Sequence, residues 1–304
     1  MAHVFTVGEA LATFFADAFG ELSTVTVAGA ELNTAVGVAR LGHRSSWMSR
    51  LGDDAFARLV RATLDAEGID DRFVRAAPGE KTGVIVKQRL SDDAVRSEHY
   101  RVGSAAAGLT AADFDTVDLA DVDWVHVSCI TASLGEGPRA LFERTVREAA
   151  GRGIPVSLDT NHRPQLIDDA GLRDAVDDVV EHVDTLLCNE DEARVLTGLD
   201  DAEEAVTTLL ARGPRTVVVK LGRHGALAGD ATGVRHAPAV SIPPPHHPVG
   251  AGDAFAAGWI TAVLERLGVE AALQRAAWCA ARVVADPGDH TGFPTRDGLT
   301  EVYA

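Results

Sequence analysis

The feature that most constrains this chain is a rhythm of short apolar runs and helical stretches between residues 123 and 220. Runs at 124–127, 156–158, 185–187 and 216–220 read as strands, separated by helical patterns at 136–150, 168–182 and 201–212. Strands joined through helices pair in parallel, because a parallel partner needs a long crossover, and the helices then cover both sheet faces. The same rhythm opens the chain. Residues 3–7 read as a buried strand, 33–41 as a helix stopping at Gly42, and 46–50 as extended. The stretch 53–67 is helical, with Phe56, Leu59, Val60 and Leu64 on one face. Between strand 3–7 and that first helix, the stretch through Phe14, Phe15 and Phe19 reads as irregular.

Residues 81–101 break the rhythm: Val84, Val86 and the run 97–101 suggest two antiparallel strands across the turn Ser91-Asp92-Asp93. A hairpin inserted in an α/β pattern is expected to act as a lid. After a second small β region at 224–237 come Pro243-Pro244-Pro245 and two helices near 252–266 and 269–285. With no internal repeat, residues 1–304 are expected to form one unit. Its fold class is α/β, a three-layer α/β/α sandwich with a mainly parallel sheet, with a small β-sheet lid from about 10–30 and 80–101.

Charge narrows the function. The 28 Lys plus Arg against 45 Asp plus Glu give a net charge of −17, which repels phosphate backbones and anionic head groups, so neither nucleic acid nor membrane is an expected partner. A small anionic substrate would need locally placed Arg or Lys. The 3 cysteines, Cys129, Cys188 and Cys279, form no Cys-x-x-Cys pair, and the first residues lack a basic segment leading into an apolar core. The expected compartment is the cytoplasm.

The most informative segment is Gly250-Ala251-Gly252-Asp253, where a glycine-rich turn opens into a helix of small residues. A helix N-terminus presents unpaired amides and the positive end of a dipole, so a phosphoryl group can sit there even in an acidic protein. Asp253 stands at the mouth of that site, where a carboxylate can accept the proton of an attacking hydroxyl. The same letters also describe a plain glycine turn with a capping aspartate, and in isolation the two readings weigh equally. A dinucleotide fingerprint from Gly250 fails because its third glycine falls on Phe255, and no Gly-Lys pair exists for a P-loop.

Gly29-Ala30-Glu31-Leu32-Asn33 with Ala39-Arg40-Leu41-Gly42, then Gly52-Asp53-Asp54, and later Gly250-Ala251-Gly252-Asp253 resemble the two signatures of the ribokinase-like (phosphofructokinase B type) carbohydrate kinases. Between them Asp159-Thr160-Asn161-His162-Arg163-Pro164, Asn189-Glu190-Asp191-Glu192 and Lys220-Leu221-Gly222-Arg223-His224-Gly225 fall in the order that family uses. Within it the chain most resembles 2-keto-3-deoxygluconate kinases, through Gly8-Glu9-Ala10, Tyr100-Arg101-Val102-Gly103-Ser104-Ala105, Pro248-Val249-Gly250 and Gly288-Asp289-His290-Thr291-Gly292.

The resemblance implies a ribokinase-like kinase that phosphorylates a sugar or sugar acid with ATP and magnesium. Asp253 would be the base, and the amides of Gly250, Ala251 and Gly252 the anion hole. Gly29, Ala30 and Asn33 would hold sugar hydroxyls. Arg101 and Arg163 would face the acid end, since a guanidinium grips a carboxylate bidentately, Tyr100 would add a hydroxyl contact, and Asp289 would be a further substrate-binding residue. Asn161, Lys220, Gly222 and Gly225 would line the nucleotide pocket, and Asn189 with Glu192 would organise magnesium and its waters. Taken alone, Asn189 and Glu192 also fit a solvated helix start, and a lone Arg after a strand fits a surface ion pair.

Two positions depart from the pattern. His247 replaces the family's usual aspartate three residues before the glycine turn, which argues against monovalent-cation activation, and Ile85 replaces a tyrosine of the keto-acid kinases. The adjacent His246-His247 has no third ligand at metal-site spacing. Alternatives are a ribose, fructose or nucleoside kinase of the same family, and a sugar-binding regulatory protein that kept the fold without catalysis. Exposed lid strands invite pairing between subunits, which admits a homodimer.

Overall fold

The computed structural model describes residues 1–18, 21–91, 94–240, 249–285 and 292–303. In chain order the strands are β1 (His3–Val7), β2 (Leu11–Ala18), β3 (Glu21–Ala28), β4 (Arg44–Leu51), β5 (Val74–Ala76), β6 (Gly83–Ser91) and β7 (Ala94–Tyr100). They continue with β8 (Trp124–Ser128), β9 (Val156–Asp159), β10 (Thr185–Asn189), β11 (Thr216–Lys220), β12 (Ala226–Asp230) and β13 (Gly233–Ala237). A large sheet has the order β13-β12-β11-β10-β9-β8-β1-β4-β5. Pairing is parallel from β5 through β11, and β12 and β13 turn back antiparallel at one edge.

Alternate residues of one strand enter opposite layers, as a pleated backbone requires. Leu186 and Cys188 of β10, with Val217 and Val219 of β11, join the core that holds Leu141, Phe142 and Val146 of helix Glu136–Gly151. Leu187 and Val218 point the other way, toward Phe255 and Trp259 of helix Ala251–Leu264 and Leu273 of helix Val269–Val284. The three-layer sandwich expected from the rhythm is therefore present. Buried polar residues of β8 and β9 are hydrogen-bonded to each other: Trp124 Nε1 donates to Ser157 Oγ at 2.8 Å, and the His126 Nδ1 lies 2.9 Å from the same oxygen. Among the described residues no helix is long and apolar enough to cross a membrane.

The lid is a second sheet of order β3-β2-β6-β7. The β6–β7 hairpin matches its expectation, with the turn residues Asp92 and Asp93 outside the described residues. The stretch expected to be irregular is instead β2 and β3. Register shifts between Phe14 and Ala16 and between Ala16 and Ala18 break the two-residue alternation that would have announced a strand. Phe14 packs edge-on against Phe56 of helix Ala55–Ala66, ring centres 5.6 Å apart, so this aromatic pair joins lid to body. The single helix expected at 168–182 is Asp169–Asp177 followed by a short turn, Val180–His182. Asp177 and Asp178 bring negative charge to the negative end of the helix dipole, which favours ending it there.

β1 pairs with β4 on one side and β8 on the other, so the connections leave it in opposite directions. A crevice opens at the carboxyl ends of strands around such a switch point. Because β2 begins four residues after β1 ends, the lid grows from the rim of that crevice.

Candidate active site

Helix Ala251–Leu264 starts at Gly250, whose φ of 80° and ψ of −11° lie in the left-handed region that glycine enters without a Cβ clash. Among the described residues no side chain caps the start of this helix. Among the described residues no carbonyl outside the helix accepts from the amides of Ala251 or Gly252. Among the described residues a Cβ added at Gly252 would meet only the Lys220 Nζ, 3.6 Å away, and none of them closes the space in front of these amides. Asp253 sits in the same first turn, and its Oδ2 accepts from Asn33 Nδ2 at 2.8 Å. Loss of solvent pushes the Asp253 carboxyl up to about 7; the Asn33 hydrogen bond opposes the rise, Asp159 adds to it, and Arg163 and Lys220 oppose it.

Asn33 lies on helix Ala30–Arg40, 4% exposed, and its Oδ1 has no partner among the described residues. An orphaned buried oxygen beside the base is an acceptor for a hydroxyl donor. The start of that helix is fixed from behind. Glu31, fully buried, accepts from Ser128 Oγ and Thr131 Oγ1, both at 2.7 Å, across the end of β8. Gly29 must be glycine because a Cβ there would lie 2.2 Å from the Glu9 carbonyl oxygen. Ala30 opens the helix next to it.

On the other flank Lys220, the last residue of β11, points its ammonium at Asp159, the last of β9, with Nζ 2.9 Å and 2.7 Å from the two carboxylate oxygens. Asn161, at φ 37°, turns the chain sharply after β9, and its amide donates to Asp159 Oδ1 at 3.2 Å. Gly222 and Gly225 take positive φ, 56° and 95°, in the turn after β11. A Cβ at Gly225 would lie 2.0 Å from the Ala237 carbonyl oxygen, so closing the hairpin already demands glycine there.

Asn189 and Glu192, expected to organise magnesium and its waters, are bonded to protein groups in this structure. Asn189 Oδ1 accepts from the Glu192 amide, and the Glu192 carboxylate takes the Asn189 amide, the Thr160 hydroxyl and the His162 amide, at 2.6–2.8 Å. The pair is a capping box on helix Glu190–Thr197, and three donors occupy a carboxylate that is only 4% exposed. No group of three or more His, Cys, Asp or Glu able to hold a metal occurs among the described residues.

Over the cleft, Arg101 follows β7 and is 7% exposed. Its Nη1 pairs with Glu9 Oε1 at 2.5 Å, and its Nε has no partner among the described residues. Burial lifts Glu9 to about 7, Arg101 holds it down and Glu31 adds to the rise. Tyr100 is on the opposite face, 61% exposed, its hydroxyl donating to Glu98 at 3.2 Å, so the structure turns this expected substrate contact to solvent. Its neighbour His99 is on the other lid face, where it pairs with Ile85, one pleat from Lys87. Desolvation and the charges of Arg101, Arg163 and Lys87 push His99 down to about 4. Arg163 is exposed, with Nη1 donating to the His162 carbonyl at 3.0 Å, and its charge acts on both His99 and Asp253. Asp289 and His247 lie outside the described residues.

Sequence reasoning missed Asp159, Glu9, Glu31, Lys87 and His99. The first three are letters of the quoted motifs, yet their partners are far away in the chain, and that is where their role is legible.

An alcohol that gives up its proton while receiving a phosphoryl group needs what Asp253 and the amides of Ala251 and Gly252 offer together, and with this sandwich and lid the class so defined is the sugar kinases of ribokinase-like fold. The chain belongs to the pfkB family of carbohydrate kinases, whose model matches residues 1–296. It is 32% identical over 301 residues to a 2-dehydro-3-deoxygluconokinase of Bacillus subtilis (strain 168), covering 97% of this chain and 93% of the relative. A fructokinase of Klebsiella pneumoniae is 31% identical over 309 residues, with 97% of each chain covered. A solved E. coli structure, a putative ribokinase II in complex with ATP and Mg2+, superposes with a TM-score of 0.91 at 26% identity over 100% of this chain and 99% of its own.

Proposed function

We propose that this sugar kinase transfers the γ-phosphoryl group of ATP to a hydroxyl of 2-keto-3-deoxygluconate (2-dehydro-3-deoxygluconate) or a closely related keto sugar acid. One observation carries the choice of an acid: in a chain of net charge −17, the cations Lys87, Arg101 and Arg163 gather around His99 at the lid, and with burial they hold that imidazole down to about 4, in its uncharged form. A carboxylate needs such a local reversal of the global field, and the unsatisfied Arg101 Nε fits one more acceptor.

Asn33 would orient the reacting hydroxyl through its free Oδ1 while its Nδ2 keeps Asp253 aimed at it. Asp253 takes the hydroxyl proton, and a carboxyl lifted to about 7 is a stronger base than a solvated aspartate. The amides of Ala251 and Gly252 stabilise charge on the migrating group. Magnesium, when bound with the nucleotide, supplies charge neutralisation at the phosphates. It keeps several waters, so the chain need offer it few direct ligands; Asn189 and Glu192 would act only through those waters. The lid above would exclude water from the reacting phosphate.

Ile85, where keto-acid kinases carry a tyrosine, and the fructokinase likeness favour a neutral ketose as the second reading. The deciding experiment follows ADP release with ATP, magnesium and a panel of 2-keto-3-deoxygluconate, related keto acids, fructose, ribose and a nucleoside. A keto acid should lead in kcat/KM by at least about tenfold, the scale of one charge-assisted contact. Fructose in the lead would replace the reading, and no ADP with any sugar would point to a non-catalytic sugar-binding protein.

A further inference from the structure

We infer that Lys220 is a catalytic residue whose ammonium meets the transferring phosphoryl group beside the Gly252 amide, and that Asp159 is the positioning residue that holds it there. The inference rests on phosphoryl transfer from ATP at this site and is independent of which sugar accepts it.

A lysine ammonium has three N–H donors on a flexible stem. Two are engaged by the two Asp159 oxygens, at 2.7 Å and 2.9 Å, which fixes Nζ at one point between β9 and β11. The third remains for a ligand, and the space it borders is the one in front of the helix Ala251–Leu264 turn, 3.6 Å from where a Gly252 Cβ would stand. The Asp159 side chain is 2% exposed and that of Lys220 18%. An ion pair taken this far out of water adds little net stability and is often replaceable by apolar residues, so folding alone does not explain its position. Transfer spreads charge over the equatorial oxygens of the moving group. The bond from the bridging oxygen to the γ-phosphorus breaks as the sugar oxygen bonds to phosphorus; the electron pair leaves with ADP and the sugar proton goes to Asp253. Lys220 keeps its own proton and lowers the barrier through charge alone.

The test compares Lys220→Met, Lys220→Arg, Asp159→Asn and the double variant Lys220→Met/Asp159→Asn on the best sugar of the panel. Lys220→Met should lower kcat by about 10² to 10³, as loss of one preorganised transition-state donor does, with KM for the sugar within about threefold of wild type. Lys220→Arg should recover part of the loss. Asp159→Asn should lower kcat on the order of tenfold, because a misplaced group loses rate before it loses affinity. The double variant, which leaves no unpaired buried charge, should fold and be no slower than Lys220→Met alone. Calorimetric binding adds a sugar-independent readout: Lys220→Met should weaken the ATP analogue AMP-PNP about tenfold while leaving ADP nearly unchanged. Near-wild-type kcat in Lys220→Met, multiplicative losses in the double variant, or equal weakening of ADP and AMP-PNP would overturn the inference. A wild type inactive on every sugar would instead defeat the kinase reading of the panel, while the binding comparison would still decide the role of Lys220.

Discussion

At the residue scale the site is a set of groups whose properties are set by neighbours distant in sequence. Asp253→Asn should lower turnover by roughly 10² to 10⁴ with ATP affinity little changed, measured by steady-state kinetics and nucleotide titration. Because the wild-type carboxyl is lifted to about 7, kcat/KM should fall as pH drops below about 7. A limb near 4 would mean that the acid is solvated. The same shift bears on stability. A carboxyl raised from 3.8 to about 7 on folding stabilises the fold fully below the lower value and progressively less as pH rises to the upper. Asparagine does not titrate, so the melting temperature of Asp253→Asn relative to wild type should climb between pH 4 and pH 7 and then level off. Gly252→Ala should melt like wild type, since a methyl there meets only the far end of Lys220, yet lose activity by crowding the open amides.

At the scale of elements, function depends on where helices begin and which face a strand presents. The open start of the helix at 250–252 was legible because a left-handed first residue follows from Gly250, which has no side chain to cap the turn. The pair Asn189 and Glu192 carries equally suggestive letters, and there the two side chains close on each other's amides. Spacing alone does not separate an open helix start from a closed one. The lid makes the same point: Tyr100 and His99 are adjacent letters, and the pleat alone puts the imidazole on the lid face of Ile85 and Lys87 and the phenol on the opposite one. Arg163→Leu tests the cationic face. It should raise KM for acidic substrates by about tenfold or more and leave neutral hexoses within about twofold, since a charge-assisted contact is lost only to a charged partner; equal losses on both would argue against carboxylate recognition.

For the whole molecule, the long-range pattern was the most readable part. Central strands such as β10 and β11 carry buried apolar runs, Leu186–Cys188 and Val217–Val219, and helices between such strands leave few topologies. The bulged lid strand β2 escaped the pattern because its alternation is broken. A keto acid at about 100 times its Kd should stabilise the protein by about 2.7 kcal/mol in thermal or denaturant melts, with no matching gain from a neutral hexose at the same concentration.

By itself the sequence determined the parallel sandwich and the glycine start of the helix that carries Asp253 in its first turn, since each depends on local periodicity or on backbone conformation that particular letters permit. Only the tertiary structure decided that Asn33 holds Asp253, that Asp159 holds Lys220, that Glu9 holds Arg101, and that Glu192 is occupied. Those partners lie 220, 61, 92 and 30 residues apart. The field at each group is summed over neighbours in space, and no spacing along the chain encodes that sum before the sheet has set its register.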